Sequence, residues 1–90
     1  MFNLEIKRQA LRSLEKLDEK RKNRVKEALL NLKGDPLPLR KLDISKLRGY
    51  ENIYRIRIGA LRIVYEVLWT ERTIVIHYIG TREKAYRRRT

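Results

Sequence analysis

Ninety residues with a formal net charge of +12, no cysteine and a single histidine set narrow bounds on this chain. One domain, 1–90, accounts for the length. Disulfides and thiolate metal sites are excluded, and no apolar run approaches the roughly 18 residues that span a bilayer. In chain order, Phe2, Leu4 and Ile6 alternate with polar residues and predict a first strand. Ala10, Leu11, Leu14 and Leu17 then recur at helical spacing, so a helix is expected from Arg8 to Leu17. Asp18 suits the N-cap of a second helix, with Val25, Ala28, Leu29 and Leu32 as its apolar stripe and Gly34-Asp35-Pro36 as its end. With almost nothing between them, the two helices should form a hairpin.

Residues 35–52 are less regular. The spacing predicts an ordered excursion pinned to the core by Leu39, Leu42, Ile44 and Leu47, with Gly49 marking a turn. The next stretch is the most informative. Tyr54-Arg55-Ile56-Arg57-Ile58 and Leu61-Arg62-Ile63-Val64-Tyr65 alternate on either side of Gly59-Ala60. Gly-X between such runs predicts a type II′ hairpin. Its register then follows: Ile58 faces Leu61, Arg57 faces Arg62, Ile56 faces Ile63 and Tyr54 faces Tyr65. One face is apolar, and the other sets Arg57 against Arg62 with Arg55 further along. Like charges directly opposite destabilise a sheet, so the pair reads either as a place held for an anion or as two side chains splayed into water.

The second hairpin strand should run to Trp69 and turn near Thr70-Glu71-Arg72. The last strand follows over Thr73 to Ile79 and leaves through Gly80-Thr81. If Val67 pairs with Ile74, then Ile74, Ile76 and Tyr78 face the core and His77 the open side; a slip of one residue reverses this. The order β-α-α-β-β-β makes an α+β domain with a mainly antiparallel sheet, a two-helix hairpin on one face and a short C-terminal extension. The arginine face is left open.

Charge of this size points to a polyanionic partner: nucleic acid, an anionic membrane or an acidic protein. Residues 53–90 carry nine basic and three acidic side chains, and eight of the nine are arginine, the cation suited to bidentate phosphate contact. The N-terminus lacks the regions of a signal peptide, and the absence of cysteine fits a reducing cytoplasm, the location expected here. A two-histidine ribonuclease mechanism and a His/Cys metal site are excluded by one histidine and no cysteine. Four scattered glycines make no phosphate-cradling loop. His77 reads as a strand residue filling space. The cluster left is Arg55, Arg57 and Arg62 on the hairpin, with Arg82 and Tyr86 just after the last strand. Such a cluster binds a phosphodiester and stabilises charge developing at phosphorus. Tyr86 suits base stacking or proton transfer, and equally suits an anchor for the C-terminal segment.

The ordered set Lys46-Leu47-Arg48-Gly49, Tyr54-Arg55-Ile56-Arg57-Ile58-Gly59, Leu61-Arg62-Ile63-Val64-Tyr65-Glu66 and Gly80-Thr81-Arg82-Glu83-Lys84-Ala85-Tyr86 resembles the RelE branch of the RelE/ParE toxin superfamily. The resemblance implies the toxin of a type II toxin–antitoxin pair. It implies a metal-independent, cofactor-free endoribonuclease that cleaves mRNA in the ribosomal A site by attack of the 2′-hydroxyl. It implies catalytic roles for Arg57, Arg62, Arg82 and Tyr86 and RNA contact by Arg55. The closing Arg87 and Arg88 are candidate RNA contacts in a basic tail. The expected partners are an acidic cognate antitoxin, in a hetero-oligomer, and the ribosome with its message; no membrane is expected. Two alternatives stand beside this reading: a ParE-like inhibitor of DNA gyrase on the same fold, and a non-enzymatic nucleic-acid-binding module. The chain departs from many relatives in having Arg55 and Arg57 where lysine is common, and Thr81 where histidine or another polar residue is common. Arginine clamps phosphate but does not serve as a base. Either Tyr86 takes that part or orientation of the 2′-hydroxyl supplies most of the acceleration.

Overall fold

The computed structural model describes residues 1–81. The elements are β1 (Asn3–Ile6), α1 (Arg8–Glu15), α2 (Glu19–Gly34), β2 (Asp43–Lys46), β3 (Ile53–Ile58), β4 (Leu61–Leu68) and β5 (Thr73–Thr81). The five strands form one sheet in the order β1-β5-β4-β3-β2. β1 pairs with β5 in parallel, and the other pairs are antiparallel. The α+β class and the mainly antiparallel sheet match the expectation. The difference is β2, a strand inside the supposedly irregular 35–52 excursion. It has four residues and one apolar side chain, Ile44, set beside Ile56 of β3. So short a run carries almost no period-2 signal, and pairing with β3 is what makes it a strand.

α1 ends at Glu15, two residues short of the expected Leu17. α2 starts where its cap predicts: the Asp18 carboxylate accepts from the Arg21 N–H at 2.8 Å. Its stripe of Val25, Ala28, Leu29 and Leu32 is wholly buried. These residues, with Ala10 and Leu14 of α1, pack on Ile56, Leu61, Ile63, Tyr65, Val67, Ile74, Ile76 and Ile79 of the sheet. The helices therefore cover one sheet face. Leu11, an expected core residue, is 41% exposed.

The excursion is pinned differently from the expectation. Leu42, Ile44 and Leu47 are half-buried, but Leu39 is 65% exposed. Pro36 and Pro38 are buried instead. Proline has no N–H to satisfy, so burying it requires a partner only for its carbonyl. The Tyr65 hydroxyl, rooted in the core, donates to the Pro36 carbonyl at 2.8 Å. Burial first, then the neighbouring Tyr54 and Asp35, raises the Tyr65 pKa well above its ordinary value of 10.0.

The hairpin register is the predicted one: Ile58 pairs with Leu61, Arg57 with Arg62, Ile56 with Ile63 and Tyr54 with Tyr65. Gly59 has φ of 58°, and Ala60 has no positive φ, as a II′ turn requires. The Tyr54 and Tyr65 rings lie 5.6 Å apart between centroids. β4 and β5 change register between Val64 and Tyr65: Tyr65 pairs with Ile76, Val64 pairs with Tyr78, and His77 is the extra residue of a bulge. Val67 does pair with Ile74. Past the bulge, however, Tyr78 turns to the arginine face and Ile79 takes the core position. A bulge puts two consecutive side chains on one face, which strict alternation cannot anticipate.

Tyr65→Phe leaves the Pro36 carbonyl without its phenolic donor and should cost about 1–2 kcal/mol in denaturant unfolding. Because the folded-state pKa of Tyr65 is raised, its protonated form contributes full stability below pH 10, and that contribution is lost as pH rises further. The gap between wild type and Tyr65→Phe should therefore narrow above about pH 10. A Cβ at Gly80 would stand 2.7 Å from Tyr78 Cζ, so Gly80→Ala should destabilise by about 1–3 kcal/mol, and Tyr78→Ala should relieve the defect when the two are combined.

Candidate nucleic-acid interface

Alternation along four paired strands decides what the sheet face opposite the helices presents. Arg57 and Arg62 stand opposite each other, with Asp43 beyond Arg57 and Gly80 beyond Arg62. One rung along, Ser45, Arg55, Val64 and Tyr78 line up. A further rung carries Ile53, Glu66 and Val75, with Glu5 of β1 at the edge. Three guanidinium-bearing residues, Arg55, Arg57 and Arg62, thus share one face, and register alone puts them there.

Their environments differ. The Arg57 side chain is 57% exposed, and its Nε lies 3.6 Å from the Asp43 carboxylate, itself 62% exposed. An ion pair so open to water is worth about 0–1 kcal/mol. Arg55 is half-buried beside Ser45 and Val64.

Arg62 departs from the expectation of a solvent-facing side chain: it is only 7% exposed. On β4 it is flanked by β3 on one side and β5 on the other. On the β5 side the Tyr78 ring lies over Gly80, the residue paired with Arg62. Nη1 of Arg62 donates to the carbonyls of Leu61, at 3.2 Å, and Gly59, at 3.5 Å. The guanidinium is thereby held toward the hairpin turn. A cation fixed in this way loses less entropy on meeting an anion than a free surface side chain does.

Arg82, Tyr86, Arg87 and Arg88 lie outside the described residues. The last described residue, Thr81, pairs with Leu61, one position from Arg62.

A pair that sequence reasoning did not anticipate lies on the same face. His77 Nε2 and Glu66 Oε1 are 2.9 Å apart, each side chain about one-third exposed. The bulge carries His77 to this contact. Glu66 is four residues along β4 from Arg62, about 13 Å, and one rung from Arg55. The aromatic-x-glycine spacing of Tyr78 and Gly80 was the one available signal that the ring folds over the strand here. Among the described residues, no group of three or more histidine, aspartate or glutamate side chains is placed to hold a metal ion, and no helix is long and apolar enough to cross a membrane.

Chemically, the face offers directional N–H donors and positive charge to a phosphodiester. Two arginines opposed across a strand pair repel each other until an anion lies between them.

Comparison with known proteins agrees with this architecture. The family described as "ParE toxin of type II toxin-antitoxin system, parDE" matches residues 4–86. The chain is 42% identical over 86 residues to the "Putative toxin RelE1" of Methanocaldococcus jannaschii, covering 96% of each chain. Among solved structures, the RelE–RelB complex of Pyrococcus horikoshii superposes with a TM-score of 0.81 at 30% identity, over 90% of this chain and 94% of that one. The RelB–RelE antitoxin–toxin complex of Methanococcus jannaschii gives 0.79 at 29% identity, over 91% and 94%. Register, fold and these likenesses converge: the chain belongs to the RelE/ParE toxin family of type II toxin–antitoxin systems.

Proposed function

We propose that this toxin is a ribosome-dependent mRNA endoribonuclease restrained by a cognate antitoxin. The observation that carries the reading is the opposed Arg57–Arg62 pair on the sheet face opposite the helices, with Arg55 one rung away. In the reaction, the 2′-oxygen bonds to the adjacent phosphorus and the bond from phosphorus to the 5′-oxygen breaks. The 2′-hydroxyl proton passes to a base and the departing 5′-oxygen gains a proton. The products are a 2′,3′-cyclic phosphate and a free 5′-hydroxyl. Arg57 and Arg62 clamp the phosphate and stabilise the charge that grows on its non-bridging oxygens. Arg55 holds the neighbouring backbone. Arg82 supplies a further cation and Tyr86 the candidate proton-transfer group. Guanidinium groups do not take up the proton, so positioning of the message on the ribosome carries much of the acceleration.

The partner reading rests on two supports. Two of the similar solved structures are toxin–antitoxin complexes, and a chain of net charge +12 favours an acidic partner. We read the resting form as a hetero-oligomer in which the antitoxin covers or distorts the arginine face. The match to the ParE family supports a second reading, inhibition of DNA gyrase by binding. That reading predicts loss of supercoiling with intact message.

Translation of a defined message with added toxin, followed by mapping of 5′ ends, tests the proposal. Codon-phased cuts that require ribosomes are expected; intact message beside inhibited supercoiling would select the gyrase reading. Arg57→Ala should lower the single-turnover cleavage rate by about 10²- to 10³-fold, with little change in melting because the side chain is exposed. Arg62→Ala should show a similar rate loss together with reduced stability, since that side chain is buried. Wild-type cleavage by Tyr86→Phe would remove the tyrosine from the proton-transfer step.

A further inference from the structure

On the sheet face opposite the helices, the arginines give way along β4 to a pair of different character. Glu66 of β4 and His77 of β5 meet there, with Nε2 of His77 2.9 Å from Oε1 of Glu66. The contact ties the two strands together at their bulge. A carboxylate only accepts hydrogen bonds, so the His77 Nε2–H is the donor. That bond holds Glu66 in one orientation and takes one of its about four acceptor positions. Both side chains remain about one-third exposed, so the rest of the carboxylate is within reach of a ligand. Arg55 is close by. It pairs with Val64, and Glu66 lies two residues further along β4. Diagonal neighbours of this kind stand about 7–8 Å apart. One nucleotide spans such a distance, from its phosphate to the hydrogen-bonding edge of its base.

We propose that, in the message cleavage inferred above and resting on that reading, Glu66 reads the base of the nucleotide whose backbone Arg55 holds and selects guanine. His77 is its positioning residue. A carboxylate repels phosphate, so the backbone of an RNA strand is not what Glu66 meets. Between its phosphates a single strand offers base edges, and proteins read these by hydrogen bonds to the Watson–Crick side. Glu66 demands donors. Guanine presents two side by side, N1–H and the N2 amino group, and a carboxylate takes both. Adenine and cytosine set an amino group beside a ring nitrogen whose lone pair repels the carboxylate. Uracil sets its single N–H between two carbonyl oxygens. A metal ion would be the other occupant for a carboxylate beside an imidazole. Among the described residues, however, no third histidine, aspartate or glutamate joins the pair to hold one.

Binding and cleavage are measured separately. Purified toxin is titrated by fluorescence anisotropy with short single-stranded RNAs, 2′-O-methylated to prevent cleavage, that differ in one base: guanine, inosine or adenine. The same bases are then placed in turn at each position flanking the cut in a translated message, and relative cleavage rates are read on ribosomes. Wild-type toxin should favour guanine over adenine by about tenfold, with inosine, which lacks the N2 amino group, between them. Glu66→Ala should erase the preference. Glu66→Gln keeps the shape but exchanges one acceptor for a donor, and should turn the preference towards adenine, the base that glutamine matches. His77→Leu should weaken the preference, and His77→Gln, which retains an N–H donor, should restore part of it.

No guanine preference by wild-type toxin in either measurement would overturn the assignment. So would a preference that Glu66→Ala and Glu66→Gln leave unmoved while only melting changes, which would make the pair a brace for the bulge. Guanine preference in binding that depends on Glu66, with the message left intact, would support the base contact and refute the nuclease. Codon-phased cleavage without a Glu66-dependent preference would refute the base contact alone.

Discussion

The arrangement of the arginine face depends on a two-residue turn. Gly59 at φ 58° closes the β3–β4 hairpin in the hand that matches strand twist, and with the turn in place each side chain of both strands has its face assigned. The same register puts Ile56 against Ile63 and Tyr54 against Tyr65 on one side, and Arg57 against Arg62 on the other. The apolar contacts stabilise the pairing that the arginines oppose. That opposition costs the sheet some stability, which the apolar pairs on the other side offset.

Helix packing completes the arrangement. Both helices pack on the apolar face, and the core they build with Ile63, Tyr65, Ile74 and Ile76 is fully buried. The arginine face varies in its openness. Arg57 stands out in water beside Asp43, and Arg62 is buried, with its guanidinium against the carbonyls of the turn. One cation is open to solvent, and the other is held in one orientation.

The hairpin turn is also approached from both sides of the sheet. Arg62 reaches it from the arginine face, and Arg24 approaches it from the helix side.

Much of this was legible in the residues. Asp18 as a cap, the Val25–Leu32 stripe, the Gly59 turn and its register all follow from local chemistry, because caps, helical periodicity and two-residue turns are decided by neighbours in the chain. The convergence of Arg55, Arg57 and Arg62 follows from that register. What tertiary structure alone decided were features set by contacts distant in sequence. β2 exists because β3 offers it a partner, Pro36 is buried because Tyr65 supplies its donor, and the bulge at His77 sends Tyr78 to the face opposite the expected one. The burial of Arg62 belongs to the same group: alternation fixes which way a strand residue points, but how much water reaches it is set by what the fold packs around it.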